Sequence, residues 1–254
     1  MVTRDTAWGD GTPCWVDLGV ADIARAGAFY AELFGWEVRQ GPPEAGGYAL
    51  CLKDGRLVAG IGPKTGPAGE PSAWVTYLAA SNADETAAKV KASGGRVLMA
   101  PMDVIDQGRM VIAADPGGAV FGLWQAGQHT GVQLANEPGS LTWNDNLSRD
   151  FDGNKAFYHA VFGYEYDDMS GDGYQYAAIK VAGNVVGGIG SAPEGRPPGW
   201  GTYFAVADTD AAVAKVTDLG GSVVQPPWDT PFGRTAIVTD NHNAIFSVIT
   251  APAS

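Results

Sequence analysis

The sequence predicts an α+β fold of two tandem domains, each of which uses a strand–helix–three-strand unit twice. The first observation is a repeat, because AFYAELFGWEV at residues 28–38 returns as AFYHAVFGYEY at 156–166. The second is that helix signals alternate with short β-branched strands within each half, as in YALCL, LVAGIG, RMVIAA and AVFGLW. Helices that are separate from mostly antiparallel strands indicate the α+β class.

The repeat extends over nearly the whole chain of 254 residues. Matched residues are 128 positions apart early in each half, then 126, and finally 125, so the second copy has small loop deletions. Representative pairs are Trp15 with Trp143, Trp74 with Trp200, and Phe121 with Phe246. We therefore predict domains at 1–128 and 139–254, joined by a linker at about 129–138.

Each half should contain two helices, each with Asp or Asn as the N-cap residue just before it and Gly at its C-terminal end. Asp and Asn side chains accept hydrogen bonds from the free N–H groups of a first helical turn. Glycine adopts the left-handed conformation that ends a helix, as predicted at Gly35. Phe29, Leu33 and Trp36 are spaced as an apolar helical stripe and should pack on the sheet.

The first strand of each half has one face of particular interest. Alternation along a strand places Trp15 and Asp17 on one side of the sheet and Val16 on the other. Trp143 and Asp145 repeat the pattern in the second half. Each half therefore presents an indole and a carboxylate together.

Composition restricts the classes of partner. The net charge is −12, with 45% hydrophobic and 17% charged residues, which allows a well-buried core. Such an acidic chain repels phosphate backbones and anionic lipid, so we expect neither a nucleic acid nor a membrane partner. The first residues show no signal-peptide pattern, and two cysteines, Cys14 and Cys51, suit a reducing compartment, so we expect a cytoplasmic protein. One disulfide between them stays open.

The repeated motifs resemble the vicinal oxygen chelate superfamily, which contains glyoxalases, bleomycin resistance proteins and extradiol dioxygenases. The motifs are WVDLGVADIARAGAFYAELFGWEV with DPGGAVFGLW, and WNDNLSRDFDGNKAFYHAVFGYEY with DNHNAIFSVI. More narrowly, the chain resembles two-domain actinobacterial members that are described as glyoxalase-like or as hydroxylases. The resemblance implies that each domain has two βαβββ units, whose strands curl into an open barrel around a cavity.

Enzymes of that superfamily bind a divalent metal in the cavity through His and Glu side chains on four strands. Carried over by position, these sites fall at Trp15, Gly60, Val75 and Gly122, and at Trp143, Gly188, Gly201 and Ser247. None of these residue types supplies the nitrogen, thiolate or carboxylate ligand that such metals need. The three histidines, His129, His159 and His242, lie off these strands. We therefore expect no metal and no cofactor.

The predicted cavities should instead have aromatic walls. The candidate ligand-binding residues are Trp15, Trp74, Tyr77, Trp143, Trp200, Tyr203 and Trp228, with Arg109 and Arg234 as anion contacts. Pockets that are mostly apolar with a few polar groups suit flat or hydrophobic small molecules. In the alternative interpretation the tryptophans fill the core, and the arginines form ion pairs with Asp103, Asp115, Asp229 or Asp240.

Asp17 and Asp145 are the candidate catalytic residues. A carboxyl group in a cleft can act as a general acid or base. Alternatively, they pair with Arg109 and Arg234 or hold the interface between the two halves.

These observations favour a metal-free protein of the bleomycin-resistance type that binds an aromatic or apolar compound, such as an antibiotic. One alternative is a metal-independent enzyme, such as a lyase, an isomerase or a hydroxylase-like tailoring enzyme. The other is an antigen-like interaction protein without small-molecule chemistry. Because the duplication supplies both halves of a site in one chain, we expect a monomer or a homodimer.

Overall fold

The first half of the chain forms one mixed sheet with two helices. The computed structural model describes residues 2–64 and 71–251. Strand β1 (Val2–Thr3) comes first in the chain. The sheet consists of β2 (Pro13–Val20), β3 (Glu37–Gln40), β4 (Ala49–Lys53), β5 (Arg56–Pro63), β6 (Ala73–Ala79), β7 (Arg96–Val104), β8 (Gly108–Ala114) and β9 (Val120–Ala126), and the helices are α1 (Ile23–Phe34) and α2 (Ala83–Ala92).

The second half repeats this arrangement. Its strands are β10 (Leu134–Ala135), β11 (Leu141–Ser148), β12 (Glu165–Asp168), β13 (Tyr176–Val181), β14 (Asn184–Ser191), β15 (Gly199–Ala205), β16 (Ser222–Thr230), β17 (Gly233–Thr239) and β18 (Ile245–Thr250). Its helices are α3 (Phe151–Phe162) and α4 (Thr209–Asp218). The predicted α+β class with a duplicated unit is confirmed.

Both sheets have the same strand order. The first runs β3-β4-β5-β2-β6-β9-β8-β7, and the second runs β12-β13-β14-β11-β15-β18-β17-β16. Strand β2 lies centrally in the first sheet and β11 in the second. Each is parallel to one neighbour and antiparallel to the other. The two short strands β1 and β10 extend the second sheet, so the N-terminal strand pairs with the second half.

The helix ends follow the predicted chemistry with one correction. Asp22 accepts a hydrogen bond from the Arg25 amide at 2.9 Å, and α1 ends at Gly35 with φ of 71°. Because Gly35 takes the left-handed conformation, Trp36 lies outside the helix and is not part of its stripe. Tyr30 and Phe34 form the buried face of α1 together with Phe29.

The core joins the two halves, because the first helix of each half contacts both sheets. Helix α1 packs on the second sheet, with Phe34 and Phe204 ring centroids 5.0 Å apart. In the same way, α3 packs on the first sheet, with Tyr158 and Phe121 centroids 5.8 Å apart. The two apolar clusters therefore each contain residues of both halves, and neither half buries its first helix alone.

A buried Trp–Tyr–Asp chain fixes each of these helices between the two sheets. Trp74 Nε1 donates to Tyr30 Oη at 3.0 Å, and this hydroxyl donates to Asp240 Oδ2 at 2.9 Å. The second copy links Trp200 to Tyr158 at 2.9 Å and Tyr158 to Asp115 at 3.2 Å. The carboxylates that hold the interface are thus Asp240 and Asp115. The alternative that Asp17 and Asp145 hold it is wrong.

Two further features bear on the sequence predictions. Cys14 and Cys51 are free, buried thiols, and burial raises the pKa of both. In the described residues, no helix is both long and apolar enough to cross a membrane.

Replacement of Tyr30 by Phe should lower the free energy of unfolding by about 1–3 kcal/mol, because the buried Trp74 indole and Asp240 carboxylate each lose a partner. Urea unfolding measures the change. Tyr174→Phe is the control, since Tyr174 is exposed and lies in a loop. Equal unfolding midpoints for Tyr30→Phe and the wild type would contradict the proposed importance of this chain.

Candidate functional site

The sheet face that carries Trp15 and Asp17 lies opposite the face that packs on helices. We call this surface of the first sheet the first cup, and the matching surface with Trp143 and Asp145 the second cup. On the other face of β11, Asn144 donates to Thr76 of the first half at 2.9 Å. As the alternation along these strands predicts, the cup residues lie on one face of the sheet, and the residues that contact the other half lie on the opposite face.

In the first cup, aromatic groups surround a single carboxylate. Trp15 Nε1 donates to Tyr48 Oη at 2.9 Å, and Tyr48 Oη donates to Asp17 Oδ2 at 3.4 Å. Tyr77 on β6 lies close enough to Asp17 to act on its pKa. Burial raises the pKa of Asp17 to about 7, against the opposing effect of the two tyrosines. The pKa of this half-buried carboxyl group therefore lies near neutral pH.

Glycines make room for these tyrosines. A Cβ atom on Gly60 would lie 1.8 Å from Tyr48 Oη, and one on Gly122 would lie 2.0 Å from Tyr77 Cδ1. The Tyr48 ring thus lies against β5 at Gly60, and the Tyr77 ring lies against β9 at Gly122. The family resemblance assigns a metal ligand to both glycine positions. A longer side chain at either glycine would displace the ring.

The second cup has the same plan. Asp145 Oδ1 accepts from Trp143 Nε1 at 2.8 Å and from Tyr176 Oη at 2.7 Å, and Tyr203 also hydrogen-bonds to this carboxylate. The Tyr176 hydroxyl lies 2.0 Å from where a Cβ on Gly188 would be. Burial raises the pKa of Asp145, while the three donors and nearby Arg196 act in the opposite direction.

The two cups differ in what covers them. In the first, His129 of the linker packs edge-on against Trp15, with centroids 4.2 Å apart, and contacts Trp124 at 5.3 Å. Burial lowers the pKa of His129 to about 4, so the ring is neutral, and Trp15 is only 3% exposed. In the second cup, the aromatic side chains Trp143, Tyr176 and Tyr203 are all half-buried.

The predicted tryptophans fall into two groups. Trp74 and Trp200 lie on the helix side of their strands, where each is hydrogen-bonded to a core tyrosine. Trp228 pairs in register with Thr235 of β17. Its side chain therefore lies on the opposite sheet face from that of Arg234, and it is half-buried. Trp15, Trp143 and Trp228 are therefore the tryptophans of the predicted set that lie on the cup faces, together with Tyr77 and Tyr203.

The two predicted arginines are held in surface ion pairs. Arg109 contacts Asp84 at 2.7 Å and Asp103 at 2.8 Å. Arg234 is paired in the same way with Asp210 and, at 3.1 Å, with Asp229. The ion-pair alternative is confirmed for Asp103 and Asp229, whereas pairing of the arginines with Asp17 and Asp145 is wrong, because α2 and α4 supply the second partners.

The residues at the inferred ligand positions do not fit a divalent metal. Indole, glycine, valine and serine occupy them, and tyrosine rings cover Gly60, Gly122 and Gly188. Over residues 2–64 and 71–251, no three His, Cys, Asp or Glu side chains come together in a group that could hold a metal ion.

A separate groove of about 340 Å³ lies outside both cups, between α1 and strands β3 and β4. Its lining is almost entirely apolar and includes Gly27 and Val38. At the matching positions of the second half, the Lys155 ammonium lies 5.2 Å from the Tyr166 ring centroid. The groove thus marks a difference between the halves and has few groups that could orient a ligand.

Sequence reasoning did not select Tyr48, Tyr176 or Arg196 as site residues. The two tyrosines are 128 positions apart, and each lies close in sequence to a GIG motif, which is a signal that the repeat offered. Arg196 has no such signal, because the corresponding residue of the first half is Glu70.

Comparisons with known proteins agree with this architecture. The family model of the glyoxalase/bleomycin resistance protein/dioxygenase superfamily matches residues 14–123 and 145–247. CFP32 of Mycobacterium tuberculosis, provisionally named a glyoxylase, is 42% identical over 94% of both chains. The anthracycline biosynthesis protein DnrV of Streptomyces peucetius is 37% identical over 96% of this chain and 94% of its own.

Solved structures share the fold at low sequence identity. The Mn(II)-bound glyoxalase of Novosphingobium aromaticivorans aligns with a TM-score of 0.67 and 17% identity, over 95% of this chain and 82% of its own. The 2,2',3-trihydroxybiphenyl 1,2-dioxygenase of Sphingomonas wittichii aligns with a TM-score of 0.65 and 14% identity, over 96% and 91%. The chain therefore belongs to the glyoxalase/bleomycin resistance protein/dioxygenase superfamily as a two-domain member.

Proposed function

We propose that the protein binds a flat aromatic small molecule in the second cup without a metal. The observation that carries this proposal is the half-buried state of Trp143, Tyr176 and Tyr203 around one carboxylate. Aromatic rings that are partly open to solvent on a curved sheet offer faces against which another ring can stack.

Hydrogen bonds to Asp145 hold these rings in place before a ligand arrives. The Trp143 indole and the Tyr176 hydroxyl both point at Asp145 Oδ1, and they are 3.1 Å from each other. Because their polar groups are already satisfied, the rings lose little conformational freedom on binding. The cup is thus preorganised for an apolar, planar ligand.

The relatives support the same class of ligand. DauV of a Streptomyces strain is named an anthracycline biosynthesis protein, as is DnrV, and both match nearly the whole chain. Anthracyclines are built on flat fused rings, which match the aromatic surface of the second cup in chemistry. We therefore choose an anthraquinone as the probe.

Trp143→Leu should weaken binding of a dihydroxyanthraquinone by about tenfold, because loss of one stacking surface costs on the order of 1–1.5 kcal/mol. Quenching of intrinsic tryptophan fluorescence in the presence of a chelator measures the dissociation constant. Trp15→Leu, the matched change in the first cup, should leave that constant unchanged, with a cooperative thermal transition as proof of folding. An unchanged constant in Trp143→Leu, or an equal loss in Trp15→Leu, would exclude the second cup as the site.

The first cup favours a second candidate function, which is acid–base catalysis by Asp17. A general base works best when its pKa is near the working pH. Burial raises the pKa of Asp17 to about 7, which meets this condition. The hydroxyl of Tyr48 lies beside it at 3.4 Å, whereas Arg109 is paired with carboxylates on the helix side and is not available as an anion stabiliser. An isomerase or lyase that begins with removal of a proton next to a carbonyl would use such a pair.

If Asp17 is a base, the protein should accelerate exchange of the acidic C–H protons of an aromatic 1,3-diketone into D₂O. Only the ionised carboxylate accepts a proton, so the rate should rise as the pH increases through about 7. Proton NMR measures the exchange, and Asp17→Asn should abolish the acceleration while Asp145→Asn retains it. No acceleration by the wild type, or none lost in Asp17→Asn, would rule out this candidate.

A further inference from the structure

We propose that Arg196 makes the second cup selective for aromatic ligands that carry a negative charge, such as a carboxylate or phenolate. This inference rests on the proposed binding function and names the class of ligand. Arg196 lies in the connection between β14 and β15, outside the set of residues that the sequence selected.

The guanidinium lies over the floor of the second cup. Arg196 Nη2 is 3.8 Å from where a Cβ atom on Gly201 would be. Gly201 pairs in register with Asp145 in the neighbouring strand. The side chain is half-buried, so its charge stands beside the half-buried rings of the cup rather than in bulk solvent.

Unlike Arg109 and Arg234, Arg196 has no ion-pair partner among the described residues. Arg109 and Arg234 each contact two carboxylates. Among the described residues, none forms an ion pair with Arg196 or accepts a hydrogen bond from its guanidinium. A half-buried guanidinium with free N–H groups is ready to take an acceptor from a ligand.

Asp145 is close enough for Arg196 to lower its pKa, but within residues 2–64 and 71–251 no ion pair or hydrogen bond joins the two side chains. Its Oδ1 atom accepts from Trp143 and Tyr176, and Tyr203 also hydrogen-bonds to the group. The carboxylate is therefore committed to holding the aromatic rings. Arg196 remains as the cationic group of the cup.

A second arginine holds the connection that carries Arg196. Arg149 Nη2 donates to the Arg196 carbonyl oxygen at 2.9 Å, and Arg149 Nη1 donates to the carbonyl oxygens of Ala192 and Pro193 at 3.3 Å. These bonds use the backbone and leave the Arg196 side chain unengaged. The backbone of this connection is thus tied to the sheet while the guanidinium faces the cup.

The chemistry of the guanidinium defines the ligand class. Its planar fork binds a carboxylate through two parallel N–H···O bonds, and it pairs with a phenolate through charge-assisted hydrogen bonds. An aromatic acid would place its ring against Trp143 and its anionic group at Arg196. At the corresponding sequence position the first half has Glu70, which lies outside the described residues, so the sequence provides this cation only in the second half.

A matched pair of ligands tests the inference. Anthraquinone carboxylate and the neutral anthraquinone carboxamide have the same rings, and fluorescence quenching measures the affinity of each for the full chain. We expect the wild type to bind the carboxylate at least tenfold more tightly than the amide. Arg196→Gln should reduce this ratio to about one while the amide affinity changes less than twofold. Arg39→Gln, which removes an exposed arginine paired with Glu37, should keep the ratio.

Each other outcome has a definite meaning. Equal affinities in the wild type, or a preference that persists in Arg196→Gln, would overturn the role of Arg196 and leave aromatic binding intact. If neither anthraquinone binds to the wild type, the proposed function and this inference both fail.

Discussion

The hydrogen bonds that converge on the Asp145 carboxylate are the interaction on which the proposed site depends. They hold the indole of Trp143 and the phenol of Tyr176 against one side of the second sheet, with Tyr203 beside them, and the three rings are half-buried. Gly188 permits this arrangement, because any side chain there would meet the Tyr176 hydroxyl. The same combination of a carboxylate, a tyrosine and a glycine occurs around Asp17 and Gly60. Where the family resemblance places metal ligands, this chain has an aromatic network.

The architecture provides the rigidity that such a network needs. The first helix of each half contacts both sheets, and a buried Trp–Tyr–Asp chain fixes it between them. Because these contacts lie on one face of the sheets, the opposite faces are free to carry the cups. The halves have diverged on those faces: His129 covers part of the first cup, whereas Arg196 adds an unpaired cation to the second. The duplication thus maintains the fold, and the differences between the copies bear the proposed specificity.

Much of the fold could be predicted from the sequence, because the repeat shows directly which residues are equivalent. Strand alternation also placed Trp15 and Asp17 on the cup face correctly. The contact of each first helix with the sheet of the other half could not be predicted, since an apolar helix face has the same pattern whichever sheet it packs on. Trp74 and Trp200 were placed on the wrong face because the sequence does not show that they donate to the core tyrosines Tyr30 and Tyr158. Arg196 could not be predicted as a site residue for a different reason. The corresponding residue of the first half, Glu70, has the opposite charge, and the position of Arg196 depends on the loop between β14 and β15.

The central claim is that an aromatic compound sits on the second cup by stacking and hydrogen bonding, without a coordinated ion. A crystal structure of chelator-treated protein with a bound dihydroxyanthraquinone tests this most directly. We expect the fused rings to lie against Trp143, near Arg196, with no metal within coordinating distance of protein or ligand. Density for the compound in the first cup or in the groove beside α1, or a ligand held through a protein-bound metal, would contradict it.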